Sequence, residues 1–224
     1  MRYHAQVVHT ALRTLCGVIL VGGAVAGFER SLDPLLIDQA RAIGQSRIDA
    51  SRTRFHQPYR VVVTRPPIDY IDVVTPFRRI VQLAEERART DSGRFGQRDA
   101  LVAAGDRVNL LDVVVELTFH PFNVFIGVPE YDVALSAAVP SPLILPTQIG
   151  RIPRFGARVE GAPLPSSTYV PLGAPGGGSE PMLGGTIVAG FDAGRLNANG
   201  VYDVVVSEKG KELARARVNL ANLR

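Results

Sequence analysis

The sequence contains one cysteine, no tryptophan and, among its 25 basic residues, only two lysines. Cys16 lies in the N-terminal leader, so the remaining chain offers no disulfide, no thiol nucleophile and no cysteine metal site. Stability after export must then come from the core alone, which is feasible at this length. With Lys209 and Lys211 as the only lysines, the other 23 basic residues are arginine, a bias that reads as GC-rich bacterial coding. Charge of one sign is also lacking. The formal net charge is +4, or +2 once Arg2 and Arg13 of the leader are set aside. Arginines alternate with acids instead of gathering on one face, which excludes a nucleic-acid footprint.

Histidine is equally sparse. Outside the leader only His56 and His120 remain, with no H-x-x-x-H or H-x-H spacing, so neither a metal nor a cofactor is expected. Gly176-Gly177-Gly178 lacks the lysine and the strand–helix frame of a phosphate loop, and Ser166, Ser167 and Ser179 stand outside any nucleophile-elbow context.

What is present begins with the leader. Arg2 and Arg13 precede an uncharged apolar run from Thr14 to Phe28, followed by Glu29. Its fifteen residues would rise about 22 Å as a helix, short of the ~30 Å hydrocarbon core. Ala24-Val25-Ala26 supplies the small-residue pattern of a signal-peptidase site. Residues 1–26 are therefore expected to be a cleaved signal peptide, with Gly27 or a near neighbour as the mature start. The alternative is a membrane anchor formed by residues 14–28.

Residues 27–105 read as a helical region with one short strand. Ser31 or Asp33 caps a helix expected from Pro34 to about Arg54, weakened in its middle by Gly44. Tyr59–Thr64 is the strand. Thr75-Pro76 then opens a helix whose apolar stripe is Phe77, Ile80, Val81, Ala84 and Ala88. It is broken at Asp91-Ser92-Gly93, and a shorter helix follows from about Gly96 to Ala104. Beyond residue 105 the period changes from 3.6 to 2. Strands are expected at 108–119, from Tyr131, over GTIVAGF and GVYDVVVS, and over ELARARVNL after a turn at Glu208-Lys209-Gly210. Residues 140–185 read as proline- and glycine-rich loops with short β candidates near 157–159 and 168–170.

LNANGVYDVVV, residues 196–206, sets Leu196, Gly200 and Tyr202 ahead of alternating valines. This stretch resembles the tyrosine corner of immunoglobulin-like and fibronectin type III-like sandwiches, in which a tyrosine near the start of a strand bonds back to upstream backbone. The resemblance implies an α+β fold: a helical N-terminal portion packed on a C-terminal immunoglobulin-like antiparallel β-sandwich spanning 106–224. Leu196 would plug the core, Gly200 would permit the close approach and Tyr202 would make the bond. The absence of tryptophan and of a cysteine pair sets the chain apart from antibody-type domains. YRVVV, residues 59–63, would be the sandwich's first strand, with the helices of 76–104 as an insertion.

Candidate site residues are few. Asp69, Tyr70 and Asp72, with Arg78 and Arg79, form the densest polar cluster, placed at a loop-to-helix junction where a helix N-terminus favours anions. The two prolines Pro66-Pro67 exclude a regular helix there, so a loop whose aspartates satisfy backbone amides is the simpler reading. His120, in FHPFN, is either a base at a sheet edge or a turn histidine. Phe119, Phe122 and Phe125 either bury their rings behind a bend at Pro121 or form a ligand-facing patch. The expected role is an exported, non-catalytic binding, adaptor or structural module with a protein or glycan partner, and membrane contact only if the leader is retained. The alternatives are a hydrolase built from Asp69, Asp72, Glu116 and His120, and a membrane-anchored assembly subunit. N-terminal sequencing of the exported protein is expected to begin at Gly27 or within a residue or two of it; recovery of Met1 would establish the anchor instead.

Overall fold

The computed structural model describes residues 27–90, 95–120, 122–137, 142–156 and 182–224. The leader, the break at Asp91-Ser92-Gly93, the β candidates at 157–159 and 168–170, and Ser166, Ser167, Ser179 and Gly176-Gly177-Gly178 lie outside them. The fold is mixed α+β, with four helices and eight strands in two antiparallel sheets among the described residues.

The helices are α1 (Pro34–Gly44), α2 (Asp49–His56), α3 (Pro76–Arg89) and α4 (Gln97–Ala104). The strands are β1 (Arg60–Arg65), β2 (Ile68–Val74), β3 (Leu110–Thr118), β4 (Asp132–Ser136), β5 (Gln148–Phe155), β6 (Met182–Asp192), β7 (Val201–Glu208) and β8 (Lys211–Asn219). One sheet runs β1-β2-β3-β6-β5 and the other β4-β7-β8. Alternation along the strands turns Ile71, Val73, Val113, Val115, Ile187 and Ala189 of the first sheet and Val133, Leu135, Val204, Val206, Ala214 and Ala216 of the second into one shared core. Lys209 and Gly210 both take positive φ, 50° and 80°, as a two-residue type I′ hairpin between β7 and β8 requires.

The helices form a second, smaller core from Ile37, Ala40, Phe77, Ile80, Val81, Ala84 and Ala100, and Phe55 packs against both cores. Asp33 caps α1, its Oδ1 accepting from Leu36 N–H at 2.8 Å, and Thr75 caps α3, its Oγ1 accepting from Arg78 N–H at 3.2 Å. The helix expected from Pro34 to Arg54 is two helices, broken after Gly44. Gly44 lies against α3 so closely that a Cβ would stand 2.3 Å from the Val81 carbonyl oxygen; the residue that weakens the helix is the one that lets the two helices meet.

Three further differences from the sequence reading have physical causes. Residues 68–74 are a strand, not a loop: Ile71 and Val73 face the core while Tyr70 and Asp72 take the opposite face, and the buried Asp72 carboxylate is held by arginine. The segment 27–105 thus contributes two strands, and both join the sheet that contains β3. Within the expected loops of 140–185, Gln148–Phe155 forms β5 despite Gly150 and Pro153, because it is an edge strand, where proline is tolerated.

The chain crosses from the first sheet to the second between β6 and β7. Here Leu196 is buried in the shared core, and the Tyr202 hydroxyl accepts the Asn197 N–H at 2.8 Å. A Cβ on Gly200 would lie 2.6 Å from the Tyr202 ring, so the approach depends on glycine. Tyr202→Phe leaves the Asn197 N–H without its acceptor and is expected to cost about 1–3 kcal/mol, read from the shift in chemical denaturation midpoint; an unchanged midpoint would show that the contact does not pin the crossing.

Candidate functional site

The connection from β2 into α3 is short, and this brings a strand carboxylate and a first-turn helix arginine side by side. Arg78 Nη1 donates to Asp72 Oδ1 and to the Val73 carbonyl, both at 2.6 Å, and Nη2 donates to Asp72 Oδ2 at 3.1 Å. The guanidinium is also stacked over the Tyr59 ring, 4.6 Å from its centroid. Only 3% of the Arg78 side chain is exposed, so these acceptors replace water as partners of a buried charge.

The remaining Arg78 donor, Nε, points to His56 Nδ1 at 3.1 Å. A guanidinium N–H can only donate, so Nδ1 presents its lone pair, and the proton sits on Nε2, which faces Glu85 Oε1 at 2.8 Å. Arg89 stands 3.8 Å from the other Glu85 oxygen. From the strand side Arg60 donates to Asp72 Oδ2 at 3.2 Å and lies 4.0 Å above the Tyr70 ring centroid. Burial pushes the Tyr59 phenol above its ordinary value, against the opposing pull of the Arg224 backbone and Arg78. Tyr70 is raised as well, first by burial and then by the Glu116 carboxylate.

His56, Arg60, Asp72, Arg78, Glu85 and Arg89 line one wall of a polar cleft of about 850 Å³ between α2, α3 and β1. Gln57, Gln82, Glu86 and the exposed Val62 complete it, together with residues of α2. The arrangement offers a dense, fixed set of donors and acceptors.

The sequence cluster divides here. Asp72 and Arg78 are in the cleft, with Tyr70 just beneath Arg60. Arg79 turns the other way and ties α3 to β3, donating to Asp112 Oδ2 at 2.6 Å and to the Leu110 carbonyl at 3.0 Å. Burial draws the Arg79 pKa down and the Asp112 charge opposes it. Asp69 accepts from Thr118 Oγ1 at 2.6 Å near the opposite end of β2. His120 is exposed, and its Nδ1 accepts the Phe122 N–H at 3.2 Å. Glu116 accepts from Arg154 at 2.6 Å and from Thr186 Oγ1 at 2.7 Å. Asp69, Asp72, Glu116 and His120 are therefore each bound to a different partner, and no hydrogen bond among the described residues joins one of them to another.

His56 and Glu85 were not singled out from the sequence. A trace of them exists in the spacing of Arg78, Gln82, Glu85, Glu86 and Arg89, a polar stripe along one face of α3. His56 belongs to no local pattern. Among the described residues no group of three or more His, Cys, Asp or Glu is placed to hold a metal ion. No protein-family model, no curated protein and no solved structure matches the chain.

Removal of Arg78 alone strands the Asp72 charge in a buried position, with only the half-exposed Arg60 to hold it. Arg78→Met is expected to destabilise by about 3–5 kcal/mol, while Arg78→Met combined with Asp72→Val recovers most of the loss in the same urea denaturation. Equal stability of the single and double variants would refute the pairing.

Proposed function

We propose that the chain is an exported, non-catalytic binding module: an immunoglobulin-like sandwich with a helical insertion, whose cleft takes a neutral, polyhydroxylated ligand of the glycan class. The fold part of this reading is supported by strand order. With β1 set aside as an extra edge strand, β2-β3-β6-β5 against β4-β7-β8 corresponds to the A-B-E-D and C-F-G sheets of an immunoglobulin constant-type domain. Tyr202 then stands near the start of the sixth strand, the position of the tyrosine corner. The helices α3 and α4 enter between the first two strands of that order.

Export is supported by the leader, and by Phe28, which is buried in the shared core and whose N–H donates to the Ala198 carbonyl at 3.2 Å. A chain starting at Gly27 keeps every core residue among those described. Among the described residues no helix is long and apolar enough to cross a membrane.

The observation that carries the binding role is the engagement of both His56 nitrogens, one by Arg78 and one by Glu85. A general base needs a lone pair directed at substrate, and here the lone pair is taken. The cleft lining holds four arginines and four carboxylates, a balance that suits a ligand with many hydroxyls and little net charge. Calorimetric titration with a panel of neutral oligosaccharides is expected to find a binder, with Arg60→Ala and Gln82→Ala each weakening it by about tenfold or more, or roughly 1.4 kcal/mol. No binding across the panel, or unchanged affinity in both variants, refutes the ligand class; release of new reducing ends refutes the non-catalytic role.

A further inference from the structure

The chain holds six asparagines, followed in turn by leucine, valine, alanine, glycine, leucine and leucine; only Asn199 precedes a glycine. Asparagine is thermolabile because its side-chain amide can be attacked by the main-chain nitrogen of the next residue. A Cβ on that next residue shields the nitrogen, and Gly200 has none. Asn199 is also exposed, so water reaches any product. The fold cannot exchange this glycine, since a Cβ there would lie 2.6 Å from the Tyr202 ring. The same missing atom serves the crossing between the sheets and leaves Asn199 open to attack.

In the folded protein the nucleophile is occupied. Gly200 N–H donates to the Asn197 carbonyl at 2.9 Å and closes a β-turn around Ala198 and Asn199. Neighbouring segments hold this turn along its length. At its start the Tyr202 hydroxyl accepts the Asn197 N–H at 2.8 Å. In its middle Phe28 N–H donates to the Ala198 carbonyl at 3.2 Å, and at its end Leu220 N–H donates to the Gly200 carbonyl at 2.9 Å. Asn199 N–H bonds to Asn197 Oδ1 at 3.1 Å. A Cβ on Gly27 would stand 2.4 Å from Asn199 Oδ1, so the N-terminal segment lies directly against the reacting side chain. Attack on Asn199 Cγ requires the Gly200 nitrogen to leave Asn197 and turn toward the side chain, a movement these contacts resist.

We propose that Asn199 is a self-modification site gated by the tyrosine corner, shut in the folded protein and reactive when the crossing opens locally. Nothing in it depends on the cleft or on export. In the reaction the Gly200 nitrogen gives up its proton and bonds to Asn199 Cγ. The Cγ–Nδ2 bond breaks, and Nδ2 takes that proton and leaves as ammonia, which closes a succinimide ring. Water then adds to one of the two ring carbonyls. Opening at the side-chain carbonyl gives aspartate; opening at the main-chain carbonyl gives isoaspartate, with the backbone rerouted through the former side chain. Water is the only co-reactant. Isoaspartate lengthens the main chain by one carbon within the turn, so the Gly200 N–H no longer meets the Asn197 carbonyl. A chain that has opened and reacted cannot reclose the same corner.

The test incubates full-length protein in mildly alkaline buffer and follows the digested peptide carrying Asn199 by mass spectrometry. Conversion of amide to acid gives the rate, and electron-transfer fragmentation identifies isoaspartate. The reaction is expected to run at least about a hundredfold slower in the native wild type than in a synthetic peptide of residues 196–206, and about tenfold faster in Tyr202→Phe than in the wild type, each tenfold standing for about 1.4 kcal/mol of closure. Asn199→Gln is expected to gain no acid at this position. A native protein that reacts as fast as the peptide, or a folded Tyr202→Phe variant that reacts no faster than the wild type, overturns the gate. Acid appearing first at another asparagine overturns the site. If Tyr202→Phe does not fold, a urea series on the wild type decides: the rate is expected to climb to that of the peptide through the unfolding transition, and a flat rate overturns the gate.

Discussion

The helical layer and the sheet are joined through the Arg78 guanidinium, and much of the molecule takes its arrangement from the demands of that buried charge. A guanidinium withdrawn from water must find acceptors in the directions its planar fork dictates. Arg78 finds a carboxylate on β2, a carbonyl at the end of that strand and an imidazole at the end of α2. Two elements, β2 and α2, are thereby held around the first turn of α3. Arg79, one residue on, does the same toward β3 through Asp112. Two consecutive arginines on one helix thus bridge to two neighbouring strands, and the helical insertion is held to the sheet at the point where it leaves it.

Legibility in the sequence followed the locality of the forces. The α3 stripe from Phe77 to Ala84, the Thr75 cap, the hairpin turn at Lys209-Gly210 and the corner at Leu196, Gly200 and Tyr202 depend on residues a few positions apart and were readable; only Ala88, assigned to the same stripe, is exposed. β2 was not readable, because a strand carrying Asp69 and Asp72 looks solvent-bound until the arginine that neutralises Asp72 is known to lie beside it. β5 was hidden by Gly150 and Pro153, whose meaning changes once the strand is known to be an edge. The polar cluster was half legible: Asp72 and Arg78 were placed together, but Arg79 serves a different contact and Asp69 lies toward the other end of its strand. His56 could not be found, since its role is defined by partners 22 and 29 residues away in sequence.

The cleft and the apolar tip at residues 122–126 lie at opposite ends of the first sheet. β3 has nine residues, which at about 3.3 Å each separates its ends by roughly 30 Å. The cleft lies near the end of β2 that feeds α3, and the apolar tip lies beyond the far end of β3.

Pro153 has a consequence outside recognition altogether. Any chain spends time partly folded before its core closes, and exposed strand edges are then templates for the wrong neighbour. β5 is an outer edge of the larger sheet, and at Pro153 the backbone has no N–H to offer an incoming strand. Arg151 and Arg154 stand on either side of it. In the smaller sheet, edge strand β8 carries Lys211, Arg215 and Arg217, and edge strand β4 is only five residues long. Pro153, one of the two residues that made β5 hard to recognise, is thus also one that leaves its outer edge a poorer template for pairing.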